Sequence, residues 1–145
     1  VACYQGNNFN RYFGNYTHTS LNFDSNTRWA QNSTPSNANA TGGAAFSSGV
    51  ACAIPTDNHS FTYRRTNFTC GYYRLRILNN DDQAAILIDG VQVWQRTSAS
   101  NTAVTAWEGF LGATSTVEIR SRETTGNSRL NIQLTDIGSS LTPVT

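Results

Sequence analysis

Two adjacent acids, Asp81 and Asp82, stand in the run Asn79-Asn80-Asp81-Asp82-Gln83, directly ahead of the apolar segment Ala84–Ile88 and the pair Asp89-Gly90. Neighbouring carboxylates repel each other unless a cation or hydrogen-bond donors compensate, and Ca2+ collects about six to eight oxygens from carboxylates, amide carbonyls and backbone. These residue types make Asp81 and Asp82 candidate metal ligands, with Asn80 beside them. A bound Ca2+ with open positions is one means of capturing vicinal sugar hydroxyls, because a hydroxyl oxygen can replace its water. The same residues also read as an acidic, solvated turn in which Asn and Asp bond to the backbone and no ion is held.

Aromatic rings are the second source of binding chemistry. Sugar rings lay their C–H faces on Trp or Tyr while Asn, Asp, Arg or Gln reach the hydroxyls. Trp29, Trp94 and Trp107 are the tryptophans available. Strict alternation along Val91-Gln92-Val93-Trp94 puts the Trp94 ring on the face opposite the two valines, and Trp107 follows the small, polar stretch Thr97–Thr105. Asp81, Asp82, Asn80, Trp94 and Trp107 are therefore the candidate ligand-binding set, although packing against a core is the commoner fate of a tryptophan.

Catalytic readings find little to stand on. There is no Gly-x-Ser-x-Gly elbow, His-Glu-x-x-His pair, phosphate-cradling loop or dinucleotide fingerprint. His59, within Thr56-Asp57-Asn58-His59-Ser60, reads as part of a turn. Glu108, Glu118, Glu123 and Asp136 could supply a glycosidase pair, yet no spacing brings two of them to the separation that chemistry needs. The expectation is a protein that is not an enzyme.

Composition narrows the partners. Charged residues make up 13% of the 145 and the net charge is +1, so no field steers the chain toward nucleic acid or an anionic membrane. All ten basic residues are Arg, and Thr, Asn, Ser and Gly together supply 60 residues, so neutral groups carry the hydrogen bonding. No apolar run is long enough to insert in a membrane. The start at Val1 reads as a processed chain, and the composition as that of an extracellular or cell-surface protein.

Cys3, Cys52 and Cys70 match no zinc spacing. Pairing Cys52 with Cys70 would close a loop of about twenty residues and stabilise by roughly 3 kcal/mol. Cys3 would then be free, buried or bonded to another molecule.

The elements that must position these groups are strands. Short runs rich in Val, Ile, Thr, Tyr and Phe recur between turn residues at Ser60–Tyr63, Gly71–Leu78, Ala84–Ile88, Val91–Gln95, Ser115–Ser121 and Leu130–Leu134. Asp89-Gly90 suits a type I′ hairpin between two of them. The stretch from Asn32 to Gly49 is long, small and polar, and reads as a loop. The prediction is all-β: a single domain over residues 1–145 built as a two-sheet antiparallel β-sandwich, of which the jelly roll is one form.

The segments Thr66–Tyr73, Asn79–Asp82 and Ile88–Gln95, with the upstream portion Tyr12–Trp29 and the segment Trp107–Gly112, resemble a module of large secreted and surface proteins of Bacteroidota. More distantly, an Asp-Asp pair leading into a strand and then Ile88-Asp89-Gly90 is similar to the PA14 β-sandwich. In lectin members of that group two aspartates joined by a cis peptide hold the Ca2+ that binds sugar. The resemblance implies that role for Asp81 and Asp82, with glycans or cell-surface polysaccharide as partners. The chain departs from it at Gln83-Ala84, where PA14 domains usually carry Gly, and in the loops Thr97–Thr105 and Glu123–Asn127. Two functions follow: a non-catalytic carbohydrate-binding or adhesion module, or a structural subunit of a surface filament. The second would self-assemble through Cys3 or by exchange of the terminal strands Val1–Gln5 and Ser139–Thr145.

Overall fold

A computed structural model of the chain describes residues 1–15, 17–18, 21–25, 44–45 and 57–138. Twelve strands are found among them: β1 (Ala2–Gln5), β2 (Arg11–Asn15), β3 (Thr17–His18), β4 (Phe23–Asp24), β5 (Ala44–Ala45), β6 (His59–Arg65), β7 (Gly71–Asp81), β8 (Gln83–Ile88), β9 (Val91–Arg96), β10 (Val104–Leu111), β11 (Val117–Glu123) and β12 (Arg129–Asp136). One sheet has six strands in the order β2-β1-β6-β11-β8-β9, a second has four in the order β10-β7-β12-β4, and β3 pairs with β5 alone. All pairings are antiparallel. The protein is a β-sandwich, as its patterning predicts.

Period-two alternation builds the core. Leu75 and Ile77 of β7, Leu130, Ile132 and Leu134 of β12, Val117 and Ile119 of β11, and Ala84 and Ile86 of β8 are buried in one cluster, joined by Phe61 and Tyr63 of β6. The outer neighbours on β11 are Glu118, Arg120 and Arg122. Asp89 and Gly90 close the β8–β9 hairpin with φ of 51° and 84°, the left-handed pair that a I′ turn requires.

Four ladders contain an irregularity, and three of them decide which way a side chain points. Across β7 and β12, Ile77 pairs with Ile132 and Asn79 with Asn131, leaving Leu78 as the extra residue. Beyond it the phase changes, so Asn80 faces inward while Asn79 does not. Across β8 and β9, Ile86 pairs with Trp94 and Leu87 with Gln92, leaving Val93 extra. Trp94 therefore turns toward the core instead of sharing the face of Gln92. In β10 the extra residue is Ala106, and Trp107 packs on the core with its ring over Gly109.

Two expectations need correction. Cys70 is a free, exposed cysteine and Cys3 is disulfide-bonded, so the Cys52–Cys70 pairing does not hold; Cys52 itself lies outside the described residues. The reason is register. Cys3 sits in the middle of β1 opposite Phe61 and is fully buried, whereas Cys70 precedes the first residue of β7 at the surface. Proximity along the chain was no guide to proximity in the sandwich. The same facts close the route to self-assembly through Cys3, which is neither exposed nor unbonded; β1 pairs within the chain on both sides, with β2 and β6. The segment Ser139–Thr145, Trp29 and most of Asn32–Gly49 lie outside the described residues.

A Cβ on Gly109 would stand 2.2 Å from Cζ2 and 2.7 Å from Cη2 of Trp107. The ring is held by the core beneath it and cannot swing aside without losing that packing. Gly109→Ala should destabilise the fold by about 1–3 kcal/mol, read as a lower midpoint in urea at unchanged slope.

Candidate functional site

Three carboxylates meet where the chain passes between the sheets. β7 belongs to the four-stranded sheet and β8 to the six-stranded one, so the chain crosses at Asp81-Asp82. β11 and β12 make the reverse crossing through residues 124–128. The two crossings lie side by side because Arg129 pairs with Asp81 and Arg122 with Gln83. The Asp82 amide donates to the Arg122 carbonyl at 3.1 Å, and the Thr124 amide donates to Asp82 Oδ2 at 2.8 Å. The peptide bond between Asp81 and Asp82 is cis. Alternation along β11 (Val117, Ile119, Ser121) continues to Glu123 and turns its side chain inward.

One carboxylate oxygen from each of Asp81, Asp82 and Glu123 lies within 4.8 Å of the others. Asp81 and Asp82 are half-buried, whereas Glu123 is 2% exposed. Both oxygens of Glu123 are shielded from solvent and have no hydrogen-bond partner among the described residues. Unpartnered buried polar atoms are rare and costly, and a charged one more so.

The arginines nearest in sequence do not relieve it. Arg122 points to the opposite face of the sheet and donates to the Asn7 carbonyl and Asn8 Oδ1. Arg129 forks onto Asp24, at 3.0 Å and 2.5 Å. Arg96 donates to Asn80 Oδ1 at 3.1 Å and to the Thr102 carbonyl at 3.0 Å. Among the described residues no ion pair reaches any of the three acids.

The proton affinities follow. Burial, then the negative charge of Asp82 and a hydrogen bond shared with its carboxylate when Glu123 is protonated, then the charges of Asp81 and Asp57, push the Glu123 carboxyl up to about 9. Burial and the neighbouring Asp82 push Asp81 up to about 6. Burial would raise Asp82 as well, but the Thr124 amide, then Asp81, outweigh it and hold its carboxyl below the usual range.

Asn80 fixes the rim. It is 1% exposed, and its amide nitrogen donates to the Asp82 carbonyl at 2.8 Å and the Ser98 carbonyl at 2.9 Å. Backbone bonds join it to Ser100 in both directions. On the other side Asp57 Oδ1 accepts from the Gly126 amide, and the Asn58 amide donates to the Thr124 carbonyl. The loop after β9, the loop after β11 and the lead into β6 are thereby tied around the acids.

Of the residues chosen from sequence, Asp81, Asp82 and Asn80 come together here. Trp94 and Trp107 pack partly buried against the core, Trp94 beneath the Arg96 guanidinium at 5.5 Å. Glu123 is the ligand-type residue that the search for paired motifs missed. Its signal was the inward phase of Val117, Ile119 and Ser121, which carries a carboxylate onto the core face.

No protein-family model matches the chain, and no curated protein does. Among solved structures the chain is similar to a PA14 sugar-binding domain from an RTX adhesin, with a TM-score of 0.51 and 20% identity over 63% of this chain and 52% of that one. The likeness is one of fold, and it spans about half the length of that domain's chain.

With metal withheld, the raised Glu123 and Asp81 carboxyls bind protons in the folded state that the unfolded chain has released. Stability of the folded state should therefore fall as pH climbs from about 4.5 toward 9. Thermal melts in EDTA between pH 5 and pH 9 should show the decline, and Glu123→Gln, neutral throughout, should flatten most of it.

Proposed function

We propose that this chain is a non-catalytic carbohydrate-binding module of an extracellular or cell-surface protein, and that Asp81, Asp82 and Glu123 hold a Ca2+ through which glycan hydroxyls are captured. The observation that carries the reading is the buried Glu123 carboxylate, without a donor and facing two more carboxylates that no arginine neutralises. A divalent cation supplies the missing counter-charge.

The donor set selects the ion class. All three ligands are hard oxygens with no His or Cys among them, which favours Ca2+ or Mg2+ over zinc or copper. Two oxygens on one Ca2+, each at about 2.3–2.6 Å, can stand up to about 5 Å apart, whereas the Mg2+ octahedron spans only about 4.2 Å. Separations of no more than 4.8 Å fit within a Ca2+ shell. Three carboxylates leave several of its positions for water or hydroxyl oxygens. Neutral donors and acceptors of the kind sugars need stand near in the chain: Asn79, next to Asn80, bonds to Asn101 and Asn131.

The fold likeness to a domain described as sugar-binding supports the ligand class. Adhesion follows from it: a module without catalytic machinery that grips glycans serves to attach whatever carries it. The composition agrees, since a surface rich in hydroxyl and amide groups suits a polysaccharide partner.

Millimolar Ca2+ should raise the melting midpoint and EDTA should lower it; at one hundred times the dissociation constant the gain is about 2.7 kcal/mol. Array binding of uncharged glycans should vanish in EDTA and in Asp82→Ala, and Glu123→Gln should weaken Ca2+ at least tenfold. Array binding unchanged by EDTA and by both variants would overturn the calcium mechanism, and no binding to any glycan with Ca2+ present would overturn the function.

A further inference from the structure

On the outer face of the six-stranded sheet a cleft of about 190 Å3 is walled chiefly by Gln83, Ala85, Gln92, Gln95, Arg120 and Arg122. Its lining holds two guanidinium groups and no carboxylate. The nearest acid, Glu118, is divided between Arg64 at 2.5 Å and Arg120 at 2.7 Å. Arg122 makes no ion pair among the described residues. Its contacts there, to the Asn7 carbonyl at 3.3 Å and Asn8 Oδ1 at 3.2 Å, both use Nη1 and leave the remaining N–H groups of the fork unused.

Both guanidinia are held in place. The Phe9 ring lies 4.6 Å from that of Arg122 and 5.4 Å from that of Arg120, so the turn between β1 and β2 acts as a backing plate. The irregularity at Val93 has a second consequence on this face. It places Gln92 and Gln95 together, with Gln92 Nε2 donating to Gln95 Oε1 at 2.8 Å. Small Ala85 makes the floor, and Gln83 closes the end nearest Asp82.

We infer that this cleft binds an oxyanion, a carboxylate or a sulfate, carried on a carbohydrate chain. The Arg122 fork, without an ion pair among the described residues, and Arg120, which shares Glu118 with Arg64, match both groups in charge and geometry. The space is more than a lone oxyanion fills, and the surrounding amides can donate to and accept from hydroxyls. The carbohydrate half of the inference rests on the function proposed above, and the anion half stands without it. The cleft is also separate from the carboxylate cluster, because Arg122 and Glu123 are successive residues of β11 and project to opposite faces.

The test is calorimetric titration at low ionic strength, with EDTA present throughout so that failure of the calcium mechanism cannot mask the result. The probes are an oligogalacturonate, a sulfated galactan oligosaccharide, an uncharged galacto-oligosaccharide and tetraglutamate. The expected result is binding of one or both acidic sugars, weakening with added salt, and none of the uncharged sugar. The two acidic arms tell carboxylate from sulfate. Arg120→Gln and Arg122→Gln should each weaken binding at least tenfold, and Glu118→Gln, which removes the competing acid, should tighten it several-fold. If Arg122→Gln fails to fold because the Asn7–Asn8 turn depends on it, Arg120→Gln alone decides. Absence of binding by both acidic sugars, or binding unchanged in Arg120→Gln, overturns the site. Tetraglutamate binding as tightly as oligogalacturonate overturns the carbohydrate assignment.

Discussion

Like charges held close together, one of them out of reach of water, must find a counter-charge or give up part of their ionisation. Asp81, Asp82 and Glu123 are in that position, and the two inter-sheet crossings leave them no room to separate. Asp81 is fixed by its pairing with Arg129, Asp82 by backbone bonds to Arg122 and Thr124, and Glu123 by its place as the last residue of β11. Protons can relieve the repulsion, as the raised carboxyls of Asp81 and Glu123 show. A divalent ion would offset two of the three negative charges at once, with no proton taken up. The surrounding structure depends on this cluster: the loops after β9 and β11 and the lead into β6 are tied around it through Asn80, Thr124 and Asp57.

The legible part of the fold was whatever strict alternation governs. Leu130, Ile132 and Leu134 face inward as read, and the Asp89-Gly90 hairpin lies between the two strands expected to flank it. The adjacent aspartates announced themselves by type alone. Two kinds of fact stayed hidden. Residues that break the alternation shift phase without leaving a mark in composition: Val93 turns Trp94 inward and Leu78 buries Asn80, although neither residue is unusual for a strand. Pairing across distant strands was also invisible, and it is pairing that puts Glu123 beside Asp82, forty-one positions earlier, and Cys3 beside Phe61. β2 went unread because its segment is short and opens and closes on polar residues, and its strand character comes from the neighbour that pairs with it.

The end of β11 concentrates opposite chemistries on one strand. Ser121 and Glu123 face the interior while Arg120 and Arg122 face outward, so a single extended segment offers carboxylate to one side of the sheet and guanidinium to the other. The separation is enforced by the pleat: successive side chains diverge, and adjacent residues of opposite charge cannot neutralise one another as they would four apart on a helix. An acid that is to stay available for a cation is well placed next to an arginine in sequence, provided that the backbone is a strand. The backbone supplies the complementary restraint, because the Arg122 carbonyl accepts the Asp82 amide. The arginine thus positions the acidic crossing through its main chain while its own charge is spent on the other face. A slip of one residue in the pairing of β11 with β8 would reverse both faces at once, bringing Arg122 onto the carboxylates and Glu123 into the cleft. Register is therefore the property on which both surfaces jointly depend. The buried run Val117, Ile119 and Ser121, packed against Ile86 and Ala84 on one side and Phe61 and Tyr63 on the other, is what holds it.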